Sequence, residues 1–75
     1  MIIFAQDRKS IVDCKIVNIT RNLGGGKEAK YILTASASGF GTVTVGSYPE
    51  EKNAMDELEK IYAAFATGAD SYQVD

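Results

Sequence analysis

The sequence predicts an α+β domain: a twisted antiparallel β-sheet of about five strands, plus a short C-terminal strand, packed on one amphipathic α-helix in the order β-β-β-β-β-α-β. Three observations carry this. Apolar and polar residues alternate through 16–22, 31–37 and 40–46, the period of half-buried strands. Glycine-containing or polar clusters separate these runs. From Ala54 onward the apolar spacing changes to three and four, the period of a helix. The 75 residues have room for one core, so 1–75 is read as one domain.

Met1 to Gln6 is the first strand, ended by the polar turn Asp7-Arg8-Lys9, and Ser10 to Cys14 returns as the second. Ile11, Val12, Ile16 and Val17 do not keep one parity, which predicts a bulge or corner near Asp13 to Lys15. Ile16 to Asn22 is the third strand. Gly24-Gly25-Gly26 cannot extend it cheaply and reads as a hairpin loop. Tyr31 to Ala37 and Phe40 to Gly46 follow, joined by a turn at Ser38-Gly39.

Pairing Ile19 with Leu33, Val17 with Ala35, Ala35 with Val43 and Leu33 with Val45 sets every odd-numbered apolar residue on one face. The other face carries Asn18, Thr20, Ile32, Thr34, Ser36, Thr42 and Thr44, a surface rich in hydroxyls. Pro49 suits the first turn of the helix, Glu50 and Glu51 suit its positive end, and Ser47 is a candidate cap. Ala54, Leu58, Ile61, Tyr62 and Phe65 form the predicted buried stripe, and Lys52, Asn53, Asp56, Glu57, Glu59 and Lys60 the solvated one. Gly68 ends the helix, and Ser71-Tyr72-Gln73-Val74 alternates as a short edge strand.

A core this small is usually supplemented by disulfides, metal or association. One cysteine and no histidine exclude an internal disulfide and a Cys/His zinc site, so a homo-oligomer is expected. The opening residues lack a basic segment and a long apolar run, so neither a signal peptide nor a membrane span is expected, and the predicted location is the cytoplasm. Residues 1–46 hold six Lys/Arg against three Asp/Glu, whereas the remainder is acidic, to a net of -2. This asymmetry directs an anionic ligand to the N-terminal half.

Without histidine the usual general base is missing, and Cys14 has no imidazole to activate it; it reads as a buried structural thiol. No catalytic residue, metal or cofactor is expected. Gly24-Gly25-Gly26-Lys27 lacks the glycine spacing and the following Ser/Thr of a phosphate loop. A looser anion site remains, with Arg21, Lys27 and Lys30 at the margin of a face bearing Thr34, Ser36, Phe40, Thr42 and Thr44. The acidic helix argues against general nucleic-acid binding.

Met1-Ile2-Ile3, Gln6-Asp7, Ile11-Val12, and Val45-Gly46-Ser47-Tyr48 leading to Glu50-Glu51-Lys52-Asn53-Ala54 resemble small uncharacterised proteins of phages and prophages in Gram-positive bacteria. The resemblance implies a phage accessory role and carries over no activity. With the charge pattern it leads to an expected non-enzymatic binding module that counters host defence by sequestering a small anionic nucleotide. Two alternatives stand beside it: a protein inhibitor that docks on a host protein through the acidic helix or a sheet edge, and a structural or oligomerisation subunit.

Overall fold

The computed structural model describes residues 1–24, 26–27, 29–37 and 41–75. Its elements are β1 (Ile2–Phe4), β2 (Ile11–Asp13), β3 (Ile16–Arg21), β4 (Tyr31–Ala37), β5 (Gly41–Tyr48), α1 (Glu51–Ala66) and β6 (Ser71–Gln73). The α+β class and the order of elements are those read from the sequence. The strands divide, however, between two three-stranded sheets, ordered β2-β1-β6 and β3-β4-β5.

The division happens at the corner anticipated near Asp13 to Lys15. Cys14 donates its N–H to Met1 O at 3.0 Å, extending the β1-β2 ladder, and Lys15 donates to Ser36 O at 3.0 Å, extending the β3-β4 ladder. Two successive residues thus pass the chain from one sheet to the other. The last strand is not an antiparallel addition: β6 lies parallel to β1, with Tyr72 opposite Ile3. Parallel neighbours need a long crossover, and all the intervening elements, α1 included, provide it.

In the second sheet Ile19 pairs with Leu33, Val17 with Ala35, Ala35 with Val43, Thr34 with Thr44 and Ser36 with Thr42, as parity predicts. Leu33 lies opposite Gly46 rather than Val45, because β5 carries an extra residue there. The bulge leaves Val45 buried and turns its carbonyl to the first sheet, where it accepts from Gln6 N at 2.7 Å. Gln6 Oε1 then accepts from Ser47 N at 2.8 Å, so Gln6 occupies the outer edge of β5 with both its backbone and its side chain.

Pro49 precedes the helix rather than entering its first turn, and Glu50 is the N-cap, in an extended conformation without a side-chain cap. Ser47 is not the cap: it belongs to β5 and its N–H is taken by Gln6. At the other end Gly68, at φ 84°, and Ala69 donate to Phe65 O and Ala64 O at 3.0 Å each, closing the helix as its glycine predicted. No helix among the described residues is long and apolar enough to cross a membrane.

The core joins Ile3, Ala5, Val12, Leu33, Ala35, Val45, Ala54, Ile61 and Val74 from both sheets and the helix. The helix is rotated relative to the predicted stripe. Ala54, Glu57 and Ile61 are its buried residues, whereas Tyr62 and Phe65, expected in the core, are 71% and 66% exposed. Each residue turns a helix by about 100°, so centring the stripe on Glu57 instead of Leu58 swings Tyr62 and Phe65 outward.

A Cβ on Gly46 would stand 2.9 Å from the Tyr48 hydroxyl and 3.0 Å from its ring. That ring is buried, and its hydroxyl donates to Asp75 O at 2.9 Å, so it has nowhere cheap to go. Gly46→Ala is therefore expected to lower stability by about 1–3 kcal/mol, measured as the midpoint of urea unfolding; an unchanged midpoint contradicts this packing.

Candidate functional site

The residues singled out from the sequence fall into separate groups. Arg21 ends β3 opposite Tyr31, on the odd-numbered face that α1 covers. With Lys30, Lys52, Pro49, Glu50 and Glu51 it lines a groove of about 450 Å³ at the N-terminus of the helix. Thr34, Ser36, Thr42 and Thr44 occupy the opposite face by strand alternation. There Ser36 and Thr42 share a hydrogen bond at 3.3 Å, Thr34 is buried, and Thr42 and Thr44 are exposed. Lys27 is exposed in the loop, and Phe40 lies outside the described residues. The structure brings Arg21 and Lys30 together but does not join them to the hydroxyls, and the carboxylates of Glu50 and Glu51 offset their charge.

A larger groove, about 740 Å³ and mostly apolar, runs between α1 and the β2-β3 corner. Cys14, Lys15 and Val17 form one wall, and Leu58, Glu59, Tyr62 and Phe65 the other. The corner builds the first wall because it directs successive side chains toward the helix, and the rotation of α1 builds the second. Cys14 is buried, as its sequence setting implied, and burial pushes its thiol pKa up, away from a reactive thiolate.

The third cluster is internal. Glu57, expected on the solvated face, is 3% exposed. Its Oε2 accepts from Tyr72 Oη at 2.7 Å and from Asp75 N at 3.0 Å, while Lys60 Nζ stands 3.9 Å from Oε1. Tyr48 Oη bonds the carbonyl of the same Asp75. Burial, then the carboxylates of Glu57 and Asp75, hold the Tyr48 phenol pKa well above 10.0. Burial comes first for Tyr72 too, followed by its hydrogen bond to Glu57. Both phenols therefore serve as donors, and the cluster ties the helix to the C-terminal segment.

Position carried the signal for Glu57: it stands three residues after Ala54 and four before Ile61, on the buried spacing, although its residue type suggested solvent. Comparison of the chain with family models, curated proteins and solved structures finds no match.

Two outcomes follow from the Glu57 cluster. Glu57→Ala leaves Tyr72 Oη and Asp75 N without their acceptor and is expected to cost about 2 kcal/mol in urea unfolding; a loss within experimental error contradicts the tie. Because folding raises both phenol pKa values above 10.0, the stability they contribute is complete below pH 10 and is lost as pH rises toward the folded-state values. Thermal unfolding should therefore show an alkaline decline that Tyr48→Phe and Tyr72→Phe together flatten; an equally steep decline in the double variant contradicts it.

Proposed function

We propose that this chain is a non-enzymatic binding module that acts by protein–protein contact through the apolar groove beside α1. The carrying observation is the outward exposure of Tyr62 and Phe65 on that groove, since large exposed apolar surfaces rimmed by charge mark interaction sites and aromatic rings supply much of the energy of such contacts. The chemistry of the chain supports a non-catalytic role: it has no histidine, its one thiol is buried, and the Glu57 carboxylate is occupied by donors. The likeness to phage and prophage proteins supports an accessory role in the host cytoplasm, including action against host defence.

Sequestration of a small anionic nucleotide is the second reading. It is favoured by the convergence of Arg21, Lys30 and Lys52 on one groove at a helix N-terminus, and opposed by Glu50 and Glu51 in the same lining. A nucleotide that raises the melting temperature of the wild-type chain, but not of Arg21→Ala/Lys30→Ala, would support it. No shift across cyclic and ADP-ribose nucleotides contradicts it.

The protein-contact reading is tested by size-exclusion chromatography of the tagged chain in a host lysate. The wild type is expected in a species larger than the 8.1 kDa chain, and Tyr62→Ser/Phe65→Ser is expected to run as the bare chain with its circular dichroism unchanged. Identical elution of the two proteins contradicts the assignment.

A further inference from the structure

We infer that the occupant of the groove is a second copy of this chain, docked edge to edge along β3 so that the two grooves close on one another. The inference rests on the protein-contact reading and specifies the partner of that same surface.

The two edges of the second sheet differ in state. At β5, Gln6 takes the Val45 carbonyl and the Ser47 N–H. At β3, six residues long, the backbone bonds among the described residues run only to β4. Strand edges are ordinarily protected by charge, proline, bulges or a covering element. The run Ile16-Val17-Asn18-Ile19-Thr20 has none of these, and the charges Lys15 and Arg21 stand only at its ends. Such an edge is a template for another strand.

The open edge is continuous with the groove. Val17 belongs both to this edge and to the groove. Antiparallel pairing of two β3 strands about a two-fold axis perpendicular to the sheet keeps both helices on the same side. The exposed Tyr62 and Phe65 of each copy then face the junction, over a continuous sheet made of the two three-stranded ones.

Antiparallel pairing centred on Asn18 sets Lys15 opposite the copy's Arg21, and Glu59, which faces Lys15 across the groove, offsets one of these two cations at each end of the junction. A stable interface needs roughly 800 Å² from each partner. Two aromatic side chains left about two-thirds exposed supply on the order of 250 Å² of this, and the unpaired six-residue edge adds its own flanking side chains. A chain of 75 residues also gains by association the burial that its own core lacks.

The experiment is sedimentation velocity on the purified chain, from low to high micromolar concentration, with two independent sets of variants. The wild type should reach twice its 8.1 kDa monomer mass, and Tyr62→Ser/Phe65→Ser should remain monomeric. Asn18, exposed near the middle of β3, lies next to its own symmetry mate in the pairing, so Asn18→Asp and Asn18→Lys should each weaken the dimer about tenfold or more through like-charge repulsion. Mixing these two should restore a heterodimer, which a change confined to folding would not do. A wild type that stays monomeric while the lysate species persists assigns the groove to a foreign protein: it overturns this inference and leaves the protein-contact reading standing. A dimer that survives the groove variant, or charge variants that fail to rescue each other, overturns the proposed docking mode.

Discussion

A carboxylate buried between the helix and the C-terminal segment determines how α1 sits. Removing Glu57 from water is costly unless donors replace its hydration, and Tyr72 Oη and the Asp75 N–H replace it. Those donors lie on and beside β6, which is itself held by parallel pairing to β1. The orientation of the helix therefore depends on a strand laid down after it in the chain. Its consequence is on the opposite side: with Glu57 at the centre of the buried stripe, Tyr62 and Phe65 have no core to enter and form an exposed apolar surface on the groove.

The two-sheet arrangement has an equally local cause. A single corner at Cys14 and Lys15 divides the ladder bonds between neighbouring sheets, and Gln6 then joins the sheets again by bonding to the bulge in β5. Gln6 protects the β5 edge at Val45 and Ser47, whereas β3, beside the apolar groove, is open along its length among the described residues. Fold, groove and free edge thus come from three small features: a corner, a bulge and a buried carboxylate.

Much of this was legible in the sequence where the interactions are local or periodic. Strand alternation yielded most of the register of the second sheet, and the parity break at residues 11–17 marked the corner, though nothing in it told that the chain leaves one sheet for another. The pairing of Leu33 with Val45 failed because the bulge is stabilised by Gln6, thirty-nine positions away from Val45, and alternation carries no information on such a contact. Glu57 was misplaced because its charge outweighed its position in the helical spacing. Its donors come from the C-terminal segment, whose location depends on the whole topology. In the candidate site, Arg21 shares odd parity with Val17 and Ile19, so its separation from the even-numbered hydroxyls was readable, whereas its approach to Lys30, Lys52 and the helix N-terminus required the tertiary fold.

A double-mutant cycle between Glu57→Ala and Tyr72→Phe, followed by urea unfolding, tests the dependence of this arrangement on the buried carboxylate most directly. The predicted result is a coupling of roughly 1.5–3 kcal/mol, the range for a hydrogen bond to a charged group. Additive effects, within about 0.5 kcal/mol, would show that the two groups do not hold the helix to β6, and would contradict the account.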